Sequence, residues 1–107
     1  MSRTTLLTRL WVLAVGLLCS SQVVAAELTI SAAASLTNAF RELAPLFEAK
    51  HADVKVQLNF ASSGSLLQQI AKGAPADVFA SADQHTMNQA QEQNLIKTEG
   101  RRDFASN

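Results

Sequence analysis

Two runs of small residues and hydroxyls could do chemistry: Ala32-Ala33-Ala34-Ser35-Leu36 and Ala61-Ser62-Ser63-Gly64-Ser65. Neither carries a charge. Each stands between a stretch that reads as strand and one that reads as helix. A helix N-terminus offers unpaired N–H groups and the positive end of the helix dipole. Small side chains let an anion approach the backbone closely, and a serine hydroxyl donates one more hydrogen bond. Such a site holds an oxyanion with neutral donors fixed in space, and it selects by size and shape. Lys or Arg would add affinity but attract many competing anions. The plainer reading of each loop is that its serine caps a helix. The two readings are compatible, because a capping serine can also face a ligand. Two such loops at successive strand-to-helix junctions of one parallel sheet would converge on one crevice, and that favours the anion.

Other chemistries lack their parts. A nucleophilic serine needs an adjacent general base. Neither loop holds a His or Lys, and no Gly-x-Ser-x-Gly elbow occurs. The Gly-Lys-Ser/Thr ending of a P-loop is absent. The expectation is a binding protein and not an enzyme. His51 and His85 have no partner at metal-ligand spacing and read as surface residues. Asp77 and Asp83 would repel an anion, so they read as helix caps or as acceptors for backbone N–H groups. Phosphate is partly protonated near neutral pH and wants an acceptor carboxylate; the two serine loops offer none, which favours a fully ionised dianion.

The loops need elements to position them. Leu28-Thr29-Ile30 is a short strand. Leu36, Phe40, Leu43 and Phe47 fall on one helical face, with Ser35 placed as its N-cap. Pro45 lies inside that helix and is expected to kink it or end it early. Val54, Val56, Leu58 and Phe60 alternate with Lys55, Gln57 and Asn59, the pattern of a strand with one buried face. Leu66, Leu67, Ile70 and Ala71 give a short helix that Gly73-Ala74-Pro75 stops. Ser65 is expected to cap it and Ser62 to shape the turn. Asp77 to Ala80 reads as a third strand. A helix follows from about Gln84 to Asn94, packed through Met87, Ala90 and Leu95. The order β-α-β-α-β-α implies a mostly parallel sheet flanked by helices on both faces, with ligands at the carboxyl ends of the strands.

Residues 1–26 read as a secretory signal peptide. Arg3 and Arg9 make a basic start, Leu10 to Cys19 an apolar run, and Val24-Ala25-Ala26 a small-residue cleavage site. The run is too short for a permanent membrane span, which takes about 20 apolar residues. A lipoprotein would begin at Cys19, but Leu18 before it is not the small residue that such processing prefers. Cleavage after Ala26 leaves no cysteine and seven bases against nine acids. That charge gives no nucleic-acid footprint. It gives an anion no general attraction either, so binding energy must be local.

Three stretches carry a family resemblance. Residues Ser31 to Phe40, Asn59 to Leu66 and Gly73 to Asp83 resemble, in order and spacing, three motifs of periplasmic molybdate-binding proteins (ModA-like) of molybdate ABC transporters. The resemblance spans Leu28 to Asn107. It implies a periplasmic binding protein type II-like lobe, with residues 27–107 the N-terminal part of the first lobe and the second lobe missing. It implies that Ser35 and Ser63 each give a hydroxyl and a backbone N–H to the oxyanion, with Ala34 and Ser62 as supporting loop residues. The ligand implied is molybdate or tungstate. No cofactor is implied, and no metal is held directly, since molybdenum enters only as its oxyanion. The partner implied is an ABC permease in the inner membrane, served by a monomer in the periplasm. Sulfate or another oxyanion is the rival ligand. A nonfunctional truncated remnant is the rival account of the chain, because the family's remaining donors lie in the other lobe.

The leader reading has a direct check. Protein recovered from the periplasm should have a mass lacking residues 1–26; an intact mass that retains Met1 would refute it.

Overall fold

The computed structural model describes residues 25–106. The expected leader lies outside the described residues, apart from Ala25 and Ala26. Three strands, β1 (Ala26–Ala33), β2 (Val54–Ala61) and β3 (Val78–Ala80), alternate with three helices, α1 (Thr37–Lys50), α2 (Ser63–Ala71) and α3 (Gln84–Glu92). The sheet order is β2-β1-β3, and both pairings are parallel. β1 pairs with β2 along its whole length, from Ala26 opposite Val54 to Ala33 opposite Ala61. Its other edge pairs with β3 from Ile30 opposite Val78 to Ala32 opposite Ala80. The chain steps from β1 out to β2, then returns across β1 to β3. The strand order therefore reverses between β1 and β3.

β1 is longer than expected. Ser31, Ala32 and Ala33 continue the strand and are buried. A central strand with neighbours on both sides has little room, and small side chains suit that position. Leu66 and Leu67 of α2, Ala80 of β3 and Ala90 of α3 complete the buried apolar set. Thr86 is buried with them, and Met87 is half-buried.

The first helix departs from expectation twice. It runs through Pro45 to Lys50, so the proline does not end it. Its half-buried residues are Thr37, Phe40, Ala44 and Glu48, whereas Leu43 and Phe47 are exposed. Glu48 accounts for part of this rotation: its Oε1 accepts the Val56 N–H at 3.3 Å, which draws a charged residue onto the sheet side. Phe47 instead stacks on His51, ring centroids 4.4 Å apart. β2 keeps its expected alternation, with Val54, Val56, Leu58 and Phe60 half-buried and Lys55, Gln57 and Asn59 exposed.

Both later helices end in the same backbone device. Beyond α2, Gly73 has φ +100°; its N–H donates to Ile70 O and the Ala74 N–H donates to Gln69 O. Beyond α3, Asn94 has φ 58°, with Asn94 N–H donating to Gln91 O and Leu95 N–H to Ala90 O. These are Schellman closures, which need a residue in the left-handed region. The α3 closure ends that helix at Glu92, two residues before the expected Asn94.

Gly73→Ala puts a Cβ on a left-handed residue and should cost about 1–2 kcal/mol. Urea denaturation should show a lower midpoint with an unchanged slope.

Candidate oxyanion site at the strand ends

All three strands point their carboxyl ends the same way, and a small-residue loop follows each. After β1 the chain makes a 3-10 turn, Ala34–Leu36, before α1 begins. This turn places Leu36, not Ser35, at the helix cap, and no side chain caps that end. The expected Ser35 cap is therefore absent. Thr37 Oγ1 braces the turn instead, donating to Ala34 O at 2.7 Å. Ser35 and Ala34 are exposed, and the Ser35 hydroxyl is not spent on capping.

After β2, Ser62 is the helix cap. Its Oγ accepts the Ser65 N–H at 3.3 Å and donates to Ser65 Oγ at 2.8 Å. This reverses the expected roles of Ser62 and Ser65: α2 begins at Ser63, so the hydroxyl in reach of the first free N–H groups belongs to Ser62. Ser63 is buried, only 7 % exposed. Its Oγ accepts the Ala82 N–H at 2.9 Å. Ser63 thus ties the second loop to the third while its hydroxyl proton remains to donate.

The third loop, Ser81-Ala82-Asp83, was not singled out from sequence as part of a site, although it has the same small, hydroxyl-bearing character. Its geometry is fixed locally. Ser81 Oγ donates to Asp83 O at 2.9 Å and accepts the Asp83 N–H at 3.2 Å. Asp83 Oδ1 accepts the Thr86 N–H at 2.7 Å, which caps α3. Asp77 also serves the backbone, as expected: its Oδ2 accepts the Thr29 N–H and its own N–H donates to Thr29 O, each at 2.8 Å.

A cavity of about 490 Å³ opens where the strand order reverses, at the ends of β1 and β3. Ser35 and Leu36 line one side and Ser81, Ala82 and Asp83 another. Residues Arg101 to Ser106 close a third. Ser63 does not line it but stands behind Ala82, held by the hydrogen bond above. Ala34 and Ser62 do not line it either. Asp83 does, so the cavity has an acceptor carboxylate that the two serine loops lack. The expected argument against phosphate from a missing acceptor therefore does not carry over to the folded site. Among the described residues no group of three or more His, Cys, Asp or Glu could hold a metal ion.

The profile of a family described as bacterial extracellular solute-binding proteins matches residues 28–107. The chain belongs to that family. The chain is 46% identical over 81 residues to the molybdate-binding protein ModA of Escherichia coli strain K12, covering 76% of the chain and 31% of that relative. It is 49% identical over 55 residues to a putative ABC transporter substrate-binding lipoprotein, YvgL, of Bacillus subtilis strain 168, covering 51% of the chain and 21% of the relative. Its fold matches the substrate-binding domain of a putative molybdenum ABC transporter from Clostridium difficile, with TM-score 0.67 and 41% identity, covering 70% of this chain and 33% of that one. The chain spans about a third of the length of the Escherichia coli relative.

Asp83 gives the site a pH signature. The Thr86 backbone and side-chain hydrogen bonds hold its carboxyl below the ordinary aspartate value, and nearby His85 adds to the shift. A depressed folded value stabilises the cap above the unfolded value and loses that contribution as pH falls through the folded one. The Thr86 amide resonance should therefore titrate at a pH below that of a free aspartate. Asp83→Asn should abolish that titration while keeping a cap.

Proposed function

We propose that the protein captures molybdate, or tungstate, and passes it to an ABC permease in the inner membrane. The observation that carries this reading is the cavity at the reversal point of a parallel sheet, walled by Ser35 and by a loop that buried Ser63 holds in place. The molybdate-binding names of the relatives supply the ligand class. Ser35 donates from the first loop by its uncommitted hydroxyl. Ser63 donates from the second and positions the third. Ala34 supports the first loop from outside the cavity by accepting from Thr37 Oγ1, and Ser62 fixes the start of α2. The ligand's other face is met by donors from a second lobe in family-length proteins. On this reading the protein works outside the cytoplasm, after removal of residues 1–26, as a monomeric carrier with no catalytic role. β1 begins at Ala26, whose N–H donates to Asp53 O at 2.8 Å, so cleavage after Ala26 removes only the first residue of that strand.

Calorimetric titration of the purified protein with molybdate, tungstate, sulfate and phosphate tests the reading. Molybdate and tungstate should bind and the other two should not displace them. Ser35→Ala should weaken molybdate binding by about 1.5–3 kcal/mol, the value of a hydrogen bond to a charged group. Ser63→Ala should weaken it as well and should also speed hydrogen exchange at the Ala82 amide. Preference for sulfate or phosphate would change the ligand. Unaltered binding in both variants would refute the site.

A further inference from the structure

The segment after α3 lies across the cavity, and a side-chain clamp holds it there. Arg101 Nη1 donates to Gln91 Oε1 at 3.1 Å and Nη2 to Gln84 Oε1 at 2.6 Å. Gln84 Nε2 in turn donates to Asp103 Oδ1 at 2.8 Å. Gln91 completes the anchor by donating from Nε2 to Thr98 Oγ1 at 3.0 Å. Arg101 is therefore committed to the clamp. Arg102, the next residue, is exposed, lines the cavity, and makes no hydrogen bond among the described residues.

Charge around the cavity explains what a free guanidinium does there. Asp83 and Asp103 also line it, and both are acceptors for neutral donors rather than partners of a cation. Two carboxylates facing an incoming dianion set up a repulsive field. The two arginines of the wall oppose that field, and only Arg102 has its guanidinium uncommitted.

We propose that Arg102 is an electrostatic steering residue of this cavity, offsetting Asp83 and Asp103 and drawing a doubly charged oxyanion to the neutral donors. The assignment rests on the oxyanion reading above. It makes Arg102 a positioning residue at the rim and leaves selection among anions to the serine loops. A rim charge acts mainly through association and salt dependence.

The test is molybdate affinity of the purified protein as a function of ionic strength, for wild type, Arg102→Gln and Arg102→Lys. At low salt Arg102→Gln should bind about three- to tenfold more weakly, in keeping with steering by a single charge. The gap should close toward 1 M salt, where the screening length is about 3 Å. Arg102→Lys should restore most of the loss, and circular dichroism should be the same for all three. Equal affinity of wild type and Arg102→Gln at every salt concentration would overturn the proposal, and so would a loss that salt does not diminish or that Lys does not repair. Wild-type protein that fails to bind any of the four oxyanions would overturn the oxyanion reading itself, and the steering role with it.

Discussion

β1 is hydrogen-bonded along both edges, and most other features of the fold follow from that constraint. A strand flanked by β2 on one side and β3 on the other cannot shift register without breaking both ladders. Its last three residues, Ser31, Ala32 and Ala33, are buried, and their small size fits the crowded centre of the sheet. The same central position makes the chain reverse its direction of travel across the sheet. Adjacent strand ends then diverge into loops on opposite sides, and a crevice is left between β1 and β3. Ser35 stands at that crevice because it directly follows the most constrained strand of the molecule.

Three loops meet at the strand ends, and each is held by a different device. A 3-10 turn braced by Thr37 holds the first, an internal serine pair holds the second, and an aspartate cap with a serine turn holds the third. None of these devices joins one loop to another. The Ala82 N–H to Ser63 Oγ hydrogen bond does so, with its acceptor on a buried side chain. Ser63 therefore fixes loop geometry whatever else it does, whereas Ser35 lines the cavity and carries no such tie. A substitution at Ser35 reads the ligand contact more cleanly for that reason.

The wall built from Arg101 to Ser106 changes the electrostatic character of the site. From the two serine loops alone the crevice is neutral. With the third loop and this segment in place, it is lined by Arg101, Arg102, Asp83 and Asp103. Formal charge there is balanced, so the outcome depends on which groups are already engaged. On the proposed reading selectivity stays with the neutral donors, because fixed dipoles discriminate by geometry in a way that a mobile guanidinium does not.

Much of the architecture was legible in the sequence because it depends on local chemistry. The alternation from Val54 to Phe60 gives β2, Gly73 the end of α2, and Asp77 and Asp83 their backbone partners. The small-residue motifs pointed to the strand ends, where Ser35 lines the cavity and Ser63 stands behind Ala82. Other features depend on groups distant in sequence. Ser35 is freed from capping because the chain tightens into a 3-10 turn at the end of β1. The half-buried face of α1 turns toward Glu48, whose carboxylate accepts the Val56 N–H, whereas periodicity alone favoured Leu43 and Phe47. The cavity wall from Arg101 onward is aperiodic and polar, so no local pattern announces it; its place is set by hydrogen bonds to Gln84 and Gln91 on a separate helix. Sequence determined the strands, the helices and where the small hydroxyl-bearing loops fall between them, since these follow from side-chain periodicity and turn propensity over a few residues. Only the tertiary structure decided which hydroxyls stay free and which charges face the cavity, because those outcomes depend on partners brought together from distant parts of the chain.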